Sequence, residues 1–137
     1  MGSELALTVA RHLNCNVVIR DVTDETLARS KDVASKVASR TVRRGEATEQ
    51  DAAGWLSRLR YVTKLEDIAS AQPELVIEAV FEDMALKQNL FAELGKLLPA
   101  STLLCSNTSA LPITSIASRR STRSGLSVLT SLTRPPS

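Results

Sequence analysis

Three short, mostly aliphatic runs constrain this chain more than anything else in it. They are Val17-Val18-Ile19, Leu75-Val76-Ile77 and Leu103-Leu104-Cys105. Each is too short for a helix. Each is also too uniformly apolar for a strand with one wet face, so it reads as a strand buried on both sides. Helical patterns lie between them. Strands alternating with helices predict a parallel α/β sheet.

The helices carry their own signals. Leu5, Val9 and Leu13 recur at four-residue spacing and predict a buried helix face. Thr23 caps the next helix, with Asp24 and Glu25 where the helix dipole favours anions. Leu27, Ala34, Val37, Ala38 and Thr41 share roughly one face of it, and Arg43, Arg44 and Gly45 are stop signals. Thr48 and Asp51 form a capping box for a helix carrying Trp55, Leu56 and Leu59. Tyr61 and Val62 form a weak strand. After the Leu75 run, Glu82 and Asp83 open a helix with Leu86, Leu90, Leu94 and Leu98 at four-residue spacing, closed by Pro99. Leu111, Ile113 and Ile116 suit a short helix that Pro112 starts.

Parallel sheets bind ligands at the carboxyl ends of their strands. That directs attention to Asp21, to Glu78 through Glu82, and to Ser106 through Ser109. Asp21 ends its strand nineteen residues after Gly2. An acid at that spacing suits a ribose diol, whose two hydroxyls a carboxylate can accept. Taken alone, an Asp at a strand end is more often a cap or turn residue. Lys87 alone is a solvated helix residue, and Ser106 to Ser109 alone a loop with local side-chain bonds. Cys15 and Cys105 read as small core residues. They are the only cysteines, too few for a disulfide framework or a zinc cage, so no metal is expected. A reducing, cytoplasmic setting follows. No run of about 18 apolar residues exists to cross a membrane, and Met1 to Glu4 does not begin a secretory leader. His12, the only histidine, lies in the first helix, away from the strand ends.

The string Leu75-Val76-Ile77-Glu78-Ala79-Val80-Phe81-Glu82-Asp83, then Leu86-Lys87, then Ser106-Asn107-Thr108-Ser109-Ala110-Leu111-Pro112-Ile113, resembles the NAD-binding domain of L-3-hydroxyacyl-CoA dehydrogenases. Phe81 and the length from Gly2 to Asp21 are most similar to the multifunctional fatty-acid oxidation α subunits. The resemblance covers residues 1–117. It implies a Rossmann-type, doubly wound parallel α/β sheet that lacks its first strand. Met1 and Gly2 correspond to the last two positions of the family's glycine-rich turn, whose earlier glycines and preceding strand lie upstream in the family pattern.

The resemblance also implies NAD as cofactor and an acyl-CoA as substrate. Gly2 would belong to the phosphate turn, and Asp21 would hold the adenosine ribose. Ala79 would meet NAD through its backbone. Glu82 and Lys87 would lie on the nicotinamide ribose side. Ser109 would place the substrate hydroxyl or the nicotinamide, with Asn107 shaping the same loop. The family's catalytic base is a histidine in a string like H-F-F-N-P, and no such string occurs in frame. The chain therefore reads as a dehydrogenase fragment that is inactive alone. The competing reading is a non-catalytic α/β module that binds a nucleotide or a partner.

Charge separates the body from the tail. The chain carries a formal +2 from 17 basic and 15 acidic residues. Residues 118–137 hold Arg119, Arg120, Arg123 and Arg134 and no acid, so residues 1–117 are net −2. A basic tail is ordinarily a nucleic-acid or membrane patch. The genetic code supplies another reading. Joining the third base of each codon to the first two of the next lets Thr122 to Val128 spell P-E-R-V-V-G. One residue later, Leu129 to Pro136 can spell H-F-F-N-P-P. Both are strings the family places here. The tail is therefore expected to be out of frame or disordered, with no nucleic-acid or membrane partner.

Overall fold

The computed structural model describes residues 2–78, 84–106, 126–127 and 129–130. In chain order the elements are α1 (Gly2–Leu13), β1 (Val17–Arg20), α2 (Asp24–Arg43), α3 (Glu49–Ser57), β2 (Leu59–Val62), α4 (Leu65–Ser70), β3 (Leu75–Glu78), α5 (Met84–Leu97), β4 (Leu103–Ser106), β5 (Leu126–Ser127) and β6 (Leu129–Thr130). The strands form two three-stranded sheets, ordered β2-β1-β6 and β3-β4-β5. Every pairing among the described residues is parallel, with Val17 opposite Leu59 and Leu75 opposite Leu103.

Strand alternation explains the layering. Ile19 is buried in a core with Ala6, Ala10, Leu27, Ala34 and Ala38 of α1 and α2, and Ile77 packs against it. Their neighbours Val18 and Val76 turn the other way, toward Leu90, Leu94 and Leu98 from α5 and its C-terminal end. Helices thus cover both faces, which is why Val17–Ile19 and Leu75–Ile77 carry no polar side.

The helix ends follow local chemistry. The Thr23 hydroxyl accepts the Thr26 N–H at 3.2 Å. After α2, the Gly45 N–H donates to Val42 O and the Glu46 N–H to Thr41 O, with Gly45 at φ +72°. This is the left-handed helix stop that glycine tolerates best. At α3 the Thr48 hydroxyl accepts the Asp51 N–H at 3.1 Å, and Asp51 accepts the Thr48 N–H at 3.0 Å. Removing the cap with Thr48→Ala is expected to cost about 1 kcal/mol, read as a lowered urea midpoint at neutral pH. The Thr48 backbone and hydroxyl also hold the Asp51 carboxyl below its usual range. Its contribution to stability is therefore present above the unfolded carboxyl value of about 4 and is lost as pH falls through the lowered folded value.

Four expectations change. Leu59 belongs to β2, not to the preceding helix, because it pairs with Val17. α4 carries no apolar period long enough to signal it. On α5, Leu86 is 50% exposed while Lys87 is buried, so the apolar row starts at Leu90. On α1, the most fully buried apolar residues are Ala6, Leu7 and Ala10, the two alanines small enough for close packing, whereas Leu13 is 65% exposed. The short helix expected near Leu111 lies outside the described residues.

Candidate functional site

The carboxyl end of β1 is built by three contacts. The Asp21 N–H donates to Val62 O at 3.2 Å, continuing the β1–β2 ladder one residue past the strand. Arg20 Nε donates to Thr63 O at 3.0 Å, tying the two strand ends together. Thr23 then starts α2. Asp21 is thereby held in a short turn between a strand end and a helix start, where it is almost fully buried. Its Oδ1 accepts the Val22 N–H at 2.7 Å. Its Oδ2 is buried and has no hydrogen-bond partner among the described residues.

A buried carboxylate oxygen without a donor is costly. It is chemically suited to a ligand that brings hydroxyl donors, and a ribose diol brings two. Asp21 thus fits the adenosine ribose of a dinucleotide. This orphaned atom is what the residues display of a cofactor site.

The carboxyl end of β3 holds a different arrangement. Glu78 closes the strand opposite Ser106 of β4. Lys87, in the first turn of α5, reaches back to it with Nζ 3.4 Å from Oε2. The two side chains are 0% and 1% exposed. Charges removed from water this completely need compensation, and each supplies part of the other's. Sequence reasoning placed Lys87 at the cofactor without its partner and gave Glu78 no role. The available signal was an acid ending a strand and a base one turn into the following helix.

Gly2 is the first residue of α1 and is buried. Ala79, Glu82, Asn107 and Ser109 lie outside the described residues. Cys15 is exposed rather than a core residue, because it falls in the turn between α1 and β1. His12 is exposed near the end of α1, at the amino side of the sheet. Among the described residues no group of three or more His, Cys, Asp or Glu could hold a metal ion. No described helix is long and apolar enough to cross a membrane.

A parallel sheet with helices on both faces, and an acid closing the strand after the first helix, defines a dinucleotide-binding α/β domain of the Rossmann type. The chain belongs to the 3-hydroxyacyl-CoA dehydrogenase family: the model of its NAD binding domain matches residues 1–130. NAD is the cofactor of that domain family. A probable 3-hydroxybutyryl-CoA dehydrogenase of Deinococcus radiodurans is 35% identical over 117 residues, 85% of this chain and 41% of the relative. The 3-hydroxyadipyl-CoA dehydrogenase of Escherichia coli is 38% identical over 117 residues, 85% of this chain and 24% of the relative. The crystal structure of 3-hydroxybutyryl-CoA dehydrogenase from Escherichia coli superposes with a TM-score of 0.82 at 36% identity, covering 88% of this chain and 25% of that one. The chain spans less than half the length of these relatives.

Proposed function

We propose that this chain is the NAD-holding part of an L-3-hydroxyacyl-CoA dehydrogenase and does not turn over substrate by itself. The observation that carries the reading is the buried, partnerless Oδ2 of Asp21 at the end of β1, in a chain of the NAD-binding family. Bound there, NAD supplies the hydride acceptor for oxidation of the 3-hydroxyl of an acyl-CoA to the 3-oxo product. Asp21 accepts the ribose hydroxyls and fixes one end of the dinucleotide. Lys87, held by Glu78, places a positive charge at the neighbouring strand end. Glu82, Ala79, Asn107 and Ser109 complete the cofactor and substrate loops.

Taking the hydroxyl proton requires a general base near the reacting carbon. The only histidine, His12, sits at the opposite side of the sheet from the strand carboxyl ends. The family's histidine base therefore has no counterpart at the strand carboxyl ends among the described residues. Mixing the chain with NADH and acetoacetyl-CoA is expected to give no oxidation of NADH at 340 nm, while NADH fluorescence reports weak, saturable binding. Turnover would overturn the reading, and so would complete absence of binding.

Residues 1–117 are the in-frame part of the domain in this proposal, and residues 118–137, which supply the two-residue strands β5 and β6, are its out-of-frame continuation in the cytoplasmic protein. The tail arginines then serve no nucleic acid. Sequencing the DNA across codons 117–137 tests this directly. A single-base shift should restore the H-F-F-N-P string. If no shift does, the basic tail is genuine.

A further inference from the structure

We infer that Glu78 is a positioning residue: by holding Lys87 and cancelling its charge at the carboxyl end of β3, it sets the balance between binding of NAD+ and binding of NADH. The inference rests on the dehydrogenase reading proposed above.

Among the described residues, the buried charged side chains are Asp21, Glu78 and Lys87. Asp21 follows β1, Glu78 ends β3, and Lys87 lies in the first turn of the helix after β3. All three therefore stand at the carboxyl edge of the strands, where parallel sheets bind ligands. Buried charges are rare in protein interiors. Their concentration at one edge points to ligand chemistry rather than to packing.

Packing would have been served otherwise. Glu78 is two residues beyond Val76 on β3 and so shares its face. Lys87 is three residues before Leu90 and seven before Leu94 on α5, again on one face. Val76, Leu90 and Leu94 belong to one apolar cluster. The Glu78–Lys87 pair continues this cluster toward the strand ends, in the place of one more apolar layer. Well-packed apolar residues of similar volume are often as stabilising as a buried ion pair, or more so. A pair held at 3.4 Å with both side chains out of water thus has a use other than stability.

The topology says which half of the dinucleotide that use concerns. A Rossmann-type sheet has two mononucleotide-binding halves, and a dinucleotide spans their strand ends. Asp21, with its buried Oδ2 open to a donor, takes the adenosine ribose at the half built by β1 and β2. β3 and β4 build the other half, where Glu78 and Ser106 end them side by side. The nicotinamide half of the cofactor is therefore the one that meets the Glu78–Lys87 pair. The nicotinamide ring is cationic in NAD+ and neutral in NADH. A lone ammonium at this strand end would disfavour the oxidised ring, and a lone carboxylate would favour it. In a buried setting such a charge is poorly screened by water. With both groups present the pair has no net charge, so neither redox form of the cofactor is held at the expense of the other.

The test uses the full 137-residue chain, with NADH binding followed by fluorescence and NAD+ binding by displacement of NADH. Circular dichroism checks that each variant is folded. Glu78→Gln is read on the acid side of neutral, so that the remaining ammonium keeps its charge. It should weaken NAD+ relative to NADH by about fivefold or more. Lys87→Met is read on the alkaline side, so that the remaining carboxylate keeps its charge, and should shift the ratio of affinities the opposite way. The double change Glu78→Gln/Lys87→Met is again without charge and should restore the ratio of the unsubstituted chain. With Glu78→Gln it suffices for the test if Lys87→Met does not fold. A pair that only holds the fold would change both affinities together, and an unmoved ratio in Glu78→Gln would overturn the inference. So would shifts of the same sign in the two single variants. Absence of NADH binding by the unsubstituted chain would instead remove the dehydrogenase reading, and the inference with it.

Discussion

Lys87→Met is expected to destabilise the chain by about 3–5 kcal/mol, the usual effect of removing one partner from a buried ion pair. That is a large share of the roughly 5–15 kcal/mol that keeps a typical domain folded. The loss comes less from missing attraction than from what stays behind. Glu78 is fully buried, and its carboxylate would keep its other contacts but lose the Lys87 counter-charge. Glu78→Gln should cost less than Lys87→Met, because the amide keeps the shape and part of the hydrogen bonding, although it leaves an ammonium unpaired. The double change Glu78→Gln/Lys87→Met removes both charges. It should be markedly more stable than the sum of the single changes predicts. Urea unfolding of the four proteins measures the coupling. If the single costs simply add, the two groups do not hold one another, and Lys87 is buried for some other reason.

The same pair shows where the sequence was legible and where it was not. The strands were readable because burial on both faces leaves only apolar residues, as at Val17-Val18-Ile19. The caps at Thr23 and Thr48 were readable because they depend on neighbours a few residues apart. Lys87 was not. A charged residue in a helix reads as solvated, and its burial depends on Glu78, which lies nine residues away on a different element. α4 has one turn of core contact, Leu65 and Ile68, too little for a period. The α1 face was misjudged for a more informative reason. Periodicity reports which residues share a helix face, and here Val9 and Leu13 line an open cavity rather than the core. Asp21 was singled out because a strand end is a place where chemistry collects, and its burial there was not legible in the sequence.

Asp21→Asn should move stability and affinity in opposite directions. In the folded chain Asp21 Oδ2 is buried without a donor, while Oδ1 is occupied by the Val22 N–H. Asparagine can keep the second contact through its own oxygen and removes the charge that makes the first position costly. An unsatisfied buried polar group costs about 1–3 kcal/mol, more when charged. Relieving part of that cost should raise the melting temperature by a few degrees. The cofactor loses in the same step. A ribose hydroxyl that donated to a carboxylate oxygen would instead meet an amide group that is itself a donor. Hydrogen bonds to charged groups contribute about 1.5–3 kcal/mol, and 1.4 kcal/mol is tenfold in affinity. NADH binding should therefore weaken by at least about tenfold. Asp21→Ala should lose affinity equally but gain less stability, since nothing remains to accept the Val22 N–H. A residue that merely shaped the turn would behave otherwise: Asp21→Asn would leave NADH binding unchanged. Thermal unfolding and NADH fluorescence on the same three proteins separate the two cases, and a gain in stability with no loss of binding would remove Asp21 from the cofactor site.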